Sequence, residues 1–127
     1  MAELHRTEVD FFQADLLHYR PESTFDIVFS SGVLQYIPPA DRRRVLESYK
    51  SCTAVGGIHV LNVFVDKPFL PVPPDWEEQE YFWTSGELLN CYHDWKVEQL
   101  EERIFDCDSS GVPHRHCMDV LIARKMV

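Results

Sequence analysis

Three very small residues, Ser30, Ser31 and Gly32, follow directly on "FDIVF", residues 25–29, a run suited to a buried strand. Small residues at the carboxyl end of such a strand let a ligand approach the backbone closely. In an open α/β sheet that edge is where ligands bind. The same residues also suit a tight strand-to-helix turn that holds nothing. A short apolar and aromatic run, Val33, Leu34, Gln35 and Tyr36, comes next, before two prolines. Two other groupings could do chemistry. His114 and His116 stand beside Cys117, which raises a metal site; His-x-His with one nearby Cys is read instead as the polar face of a strand, and no metal is expected. Arg42, Arg43 and Arg44 suggest phosphate binding and are read as a solvated helix face.

These residues must be held by regular elements. Residues 8–14, "EVDFFQA", read as a short strand, and "LHYRPEST" as a loop. Residues 25–30 are apolar on both faces, so helices should cover them on each side. Val45, Leu46, Tyr49 and Cys52 recur at helical spacing; Pro39 and Asp41 suit the helix start, and Gly56-Gly57 its stop. "GIHVLNVFV" makes another buried strand, and residues 25–30 and 57–65 should be parallel neighbours joined through that helix. "DKPFLPVPPDWEEQEYF" carries four prolines and an acidic cluster, the mark of a lid or substrate loop. "WTSGELLNCY" reads as a helix capped by Thr84 or Ser85. Two strand-like segments flank "DSSGVP", giving a hairpin over 97–124 beside residues 57–65. The fold class is therefore α/β, with a mainly parallel sheet and a C-terminal antiparallel hairpin.

At 127 residues the chain is expected to form a single domain. Acidic residues outnumber basic ones by 21 to 12, for a formal charge of −9. That balance argues against nucleic acid or an anionic membrane as partner. No apolar run approaches the roughly 18 residues of a membrane span, and the polar start "MAELHRTEVD" is no signal peptide. Cys52, Cys91, Cys107 and Cys117 form no Cys-x-x-Cys pair; reduced thiols and a cytoplasmic location are expected.

"FDIVFSSGVLQYIPPADRRRVLESYKSCTAVGGIHVLNVF" resembles the central segment of the class I, Rossmann-like S-adenosylmethionine-dependent methyltransferases. "YFWTSGELLNCYHDWKVEQLEE" resembles more narrowly the tellurite-resistance type, and "DVLIARK" the close of the domain. The resemblance runs over residues 8–125. It implies a partial methyltransferase sheet, S-adenosylmethionine as cofactor and a small-molecule methyl acceptor. By resemblance, Asp15 and Leu16 receive the adenine, with Asp15 accepting from its amino group. Ser30, Ser31 and Gly32 form the floor under the methionine part, Val33 packs near it, and Gln35 and Tyr36 face the substrate. Methyl transfer needs positioning and often little acid-base help, so no obligatory catalytic residue is assigned. If the acceptor must lose a proton, His18, Tyr36 or Tyr92 have suitable chemistry.

The family's glycine-rich turn after its first strand and the acidic residue ending its second have no counterpart in this sequence. The chain is therefore expected to be the C-terminal part of such a fold and to bind cofactor weakly or not at all alone. A second copy or a complementing chain would cover the open sheet edge. The alternative is a degenerate, cofactor-free domain with a structural or interaction role.

Overall fold

Strand and helix signals alternate along residues 8–127, which the computed structural model describes, and they resolve into four strands and two α-helices. Strand β1 is Phe25–Ser30. Two single 3-10 turns follow, Leu34–Tyr36 and Pro39–Asp41, and the second leads into helix α1, Arg42–Ser51. Pro39 opens this entry, where its missing N–H costs nothing. The helix does not run on to Gly56-Gly57. The Thr53 hydroxyl donates to the Tyr49 carbonyl at 2.7 Å, and β2, Thr53–Phe64, starts at once. Gly57 sits where a Cβ would lie 2.8 Å from the Ala54 carbonyl and 2.9 Å from that of Asp26. Gly57 therefore serves the close passage of β2 past β1, while Gly56 takes a φ of 85°.

The sheet order is β1-β2-β4-β3, with β3 at Lys96–Cys107 and β4 at His114–Arg124. β1 and β2 are parallel, Ile27 opposite Ile58 and Ser30 opposite Leu61. β4 runs antiparallel to β2, Leu61 opposite Leu121, and antiparallel to β3. The adjacent parallel pair and the docked hairpin match the sequence reading. The sheet as a whole is mixed, with one parallel and two antiparallel pairings. Parallel pairing is limited because residues 8–14 form no strand: they are exposed, and no strand among the described residues lies on the outer edge of β1. Helix α2, Glu87–Asn90, is also shorter than "WTSGELLNCY" suggests. Gly86 stands at its N-cap with φ 81°, while Glu87 Oε1 accepts from the Thr84 N–H at 2.9 Å.

One face of the sheet carries the core. Leu61, Val63, Leu121 and Ala123 pack under Val45 and Leu46 of α1, Leu88 of α2 and the fully buried Trp83 and Tyr92. On the edge strand the expected two-sided cover is missing among the described residues, and Ile27 and Phe29 stay 62% and 70% exposed.

Several polar groups are buried with this core, each with partners. Arg42, expected on a solvated face, is buried. Its guanidinium donates to Glu87 at 2.7 Å and to the Phe82 carbonyl at 2.8 Å, and stacks 4.2 Å over Trp83. The aromatic face and carboxylate offset its desolvation. Lys50, also buried, donates to the Cys91 carbonyl and to Asp94, both at 2.8 Å. Lys125, just past β4, donates through Nζ to the carbonyls of Lys50 and Thr53 at the end of α1.

Candidate functional site

The turn after β1 is held by a residue that sequence reasoning did not single out. The Gly32 N–H donates to Asn62 Oδ1 at 3.0 Å, and Asn62 Nδ2 donates to Ser31 Oγ at 2.9 Å. Asn62 lies on the adjoining strand β2. Its signal was present: a lone amide in the apolar run "GIHVLNVFV". Gly32 has φ 67°, a conformation L side chains rarely adopt, and a Cβ there would meet nothing within 4 Å. The backbone at the end of β1 is thus open to close approach.

Two cavities meet this turn. The first, about 380 Å³, is lined by Leu16, Ser30, Ser31 and Val33 together with Tyr49 and His59. Four of the residues that the resemblance assigns to the cofactor therefore share one space. Ser30 Oγ is buried and has no hydrogen-bond partner. Asp15 stands outside that lining, and its carboxylate is used locally. It accepts from the Leu17 N–H at 2.9 Å and lies 2.7 Å from His18 Nδ1, the contact that chiefly holds its pKa below the usual value. Apolar walls, an unpartnered hydroxyl and an open backbone fit part of a nucleoside-thioether cofactor.

The second cavity, about 270 Å³, is lined by Gly32 itself. Gln35, Phe64, Trp76, Glu80 and His116 also line it. Gln35 is buried, donates from Nε2 to the Gly32 carbonyl at 2.8 Å, and leaves Oε1 unpartnered. Tyr36 is 44% exposed, and its hydrogen bond to the Glu80 carboxylate raises its pKa. The proline-rich loop forms the far wall. It is anchored where the Tyr81 N–H donates to the Gln35 carbonyl at 2.7 Å and the Trp83 N–H to that of Phe64 at 2.9 Å. Trp76 stacks on Phe82 with ring centroids 4.0 Å apart. The loop is thus tied to both the core and the turn.

The three proton-transfer candidates differ in access. His18 is exposed, beside Asp15. Tyr92 is fully buried and belongs to the core, which removes it from contact with an acceptor. It sits 2.6 Å from His59 Nδ1, while His59 Nε2 lies 2.8 Å from Thr53 Oγ1. Thr53 donates its proton to Tyr49, so it accepts from His59 Nε2–H, and Tyr92 donates to Nδ1. Burial, then the nearby Lys50 charge, pushes His59 down to about 4. This histidine is a neutral core group.

A carboxyl pair lies further along the hairpin. Burial, reinforced by the hydrogen bond that its protonated form donates to Glu102, pushes Asp119 up to about 6. Asp119, Lys67 and Ser85 hold Glu102 down at about 2. Asp119 Oδ2 also accepts from the Gly86 N–H at 3.0 Å.

Comparison with known proteins gives four further findings. Residues 1–61 match the family model described as a methyltransferase domain. Over 90 residues the chain is 36% identical to the carboxy-S-adenosyl-L-methionine synthase of Chromohalobacter salexigens; the match takes in 69% of this chain and 28% of that protein. Among solved structures, TehB from Haemophilus influenzae superposes with a TM-score of 0.81 at 18% identity, over 98% of this chain and 43% of that one. An S-adenosylmethionine-dependent methyltransferase from Methanosarcina mazei superposes at 0.64 with 16% identity, over 90% of this chain and 66% of that one. The chain thus spans under a third of the curated relative and under half of TehB. By sequence and by fold together, it is a homologue of the class I, Rossmann-like S-adenosylmethionine-dependent methyltransferases.

Proposed function

We propose that the chain forms the C-terminal part of an S-adenosylmethionine-dependent methyltransferase that acts on a small molecule. The supporting observation is the shared cavity of Leu16, Ser30, Ser31 and Val33 at the open end of β1. The cofactor supplies an electrophilic sulfonium methyl. The chain's own residues would position it: Ser30, Ser31 and Gly32 as floor, Val33 as packing, Leu16 and Asp15 on the adenine side. Gln35 and Tyr36 would face the acceptor across Gly32. The acceptor cleft is aromatic through Phe64 and Trp76 and acidic through Glu80, which favours a neutral or cationic molecule over a bulky anion.

We infer that the described residues hold neither the family's ribose clamp nor its glycine-rich turn. Losing more than one hydrogen bond to charged groups, at about 1.5–3 kcal/mol each, would carry a micromolar site to about millimolar. Titration calorimetry with S-adenosylhomocysteine tests this. Weak or undetectable heat for the chain alone, with micromolar binding when an upstream segment bearing the glycine-rich turn is supplied, supports the reading. Micromolar binding by the chain alone that is lost in Asp15→Ala refutes the incompleteness of the site.

A second reading, a cofactor-free domain with a structural or interaction role, draws on the local use of Asp15 and on the Gly32 N–H already given to Asn62. It predicts no binding even when the upstream segment is supplied. Either reading leaves the outer edge of β1 to be covered by strands of a longer chain, by a second copy or by a complementing protein.

A further inference from the structure

The hairpin that closes the sheet brings three metal-ligating side chains to one point. Cys107 ends β3 and His114 opens β4, directly opposite each other in the ladder. His116 is two residues further along β4, on the same face by the alternation of a strand. The ligand atoms of Cys107, His114 and His116 all lie within 4.8 Å of one another. Cys117, the sulfur that the sequence places next to these histidines, is buried in the core on the opposite face. The partner thiol therefore comes from across the hairpin.

We propose that Cys107, His114 and His116 bind a divalent cation of borderline softness, Zn²⁺ foremost. One thiolate and two imidazoles make up a donor set that suits zinc. The histidines are also held for the task. His114 Nδ1 lies 2.7 Å from the Val112 carbonyl and donates to it. That bond fixes the tautomer with Nε2 unprotonated, the usual support of a metal-bound imidazole, and without a cation its lone pair accepts from His116. His114 Nε2 and His116 Nε2 point at each other across 2.9 Å. Tetrahedral ligands of zinc stand about 3.3–3.6 Å apart, so the pair would part by about half an ångström. His116 is braced between Phe64 and Phe105, with centroids 4.9 and 5.5 Å away, and little of it is exposed. Asp75 Oδ1 lies 3.6 Å from His114 Nε2 and adds negative charge beside the site.

The three ligands leave a fourth position. Cys107 and His116 both line the cleft that also contains Gly32 and Gln35. The vacant position therefore faces the space assigned above to the acceptor. Three protein ligands with one open position are the pattern of zinc sites that bind a water or a substrate atom. The cation site does not depend on the methyl-transfer reading and is tested without it.

The test uses Co²⁺ as a spectroscopic stand-in, titrated into the reduced, full chain and then displaced by Zn²⁺. One equivalent should give a thiolate-to-cobalt charge-transfer band and intense tetrahedral d–d bands, both bleached by Zn²⁺. Cys107→Ser should abolish the charge-transfer band. His116→Asn should weaken binding about tenfold or more. Cys52→Ser, at a thiol remote from the site, should change neither. Circular dichroism checks that each variant is folded. X-ray absorption on the zinc-loaded parent chain needs no variant and should report one sulfur and two imidazoles. A missing charge-transfer band, a band that survives Cys107→Ser, or a first shell of oxygen alone overturns the proposal.

Discussion

Asp119 shows how much a single side chain can carry. Its pKa is raised in the folded state, from 3.8 to about 6. The stability it contributes is full below its unfolded value and is lost as pH rises through 6. His59 works in the opposite sense. Its pKa falls from 6.5 to about 4, so its contribution is full above 6.5 and is lost as pH falls through 4. The two slopes oppose each other in the same window and flatten the parent profile. Asn at position 119 is isosteric with the protonated acid and can still accept from Gly86 and donate to Glu102. Asp119→Asn should match the parent near pH 4 and exceed its stability near pH 7 by on the order of 1 kcal/mol. Urea unfolding across that range checks this; identical profiles would dismiss the raised pKa. None of this could be read from the sequence, where Asp119 is a lone acid in an apolar run. Arg42 was misread for a related reason. Three consecutive arginines look alike as a string, and only the helix phase and the position of Trp83 decide which one turns inward.

At the scale of elements, the helical spacing of Val45, Leu46 and Tyr49 and the apolar runs of β1 and β2 placed α1 and the parallel pair. The turn signal in "DSSGVP" likewise placed the hairpin. The junction between α1 and β2 was misplaced, because a glycine pair commonly stops a helix and here answers to another strand. Gly57→Ala tests that role. Its methyl would press on two backbone carbonyls, neither of them free to swing away. Overpacking of this kind costs about 1–3 kcal/mol, so the melting temperature should drop by several degrees. An unchanged melting temperature would mean that β1 and β2 part without cost at that point. Residues 8–14 illustrate the other limit of local reading. Their composition favours a strand, and a strand also needs a ladder partner, which sequence pattern does not supply.

For the whole molecule, the decisive feature is the side of β1 that no strand among the described residues covers. Ile27 and Phe29 present apolar surface beside a strand edge that pairs with nothing among the described residues, an arrangement that invites another strand. The isolated 127-residue chain should sediment as a species larger than a monomer at micromolar concentration. The double variant Ile27→Lys, Phe29→Lys should shift it toward the monomer. A strictly monomeric parent chain would contradict this. The turn after β1 was legible because small residues after an apolar run and the order of elements are both local. Asn62 and the grouping of Cys107 with His114 and His116 were not, because each depends on which strand becomes whose neighbour.

The grip of Lys125 on the end of α1 gives the last three residues unequal weight. Met126 and Val127 are 51% and 93% exposed, so an exopeptidase could nibble them away with little effect. Lys125 also exchanges two backbone hydrogen bonds with the glycine pair, its N–H to Gly57 and its carbonyl from Gly56. A ladder of C-terminally shortened chains should therefore hold its melting temperature through the first two deletions and fall abruptly at the third. An affinity tag attached after Val127 would be harmless, whereas a processing site placed before Lys125 would release the helix from the sheet.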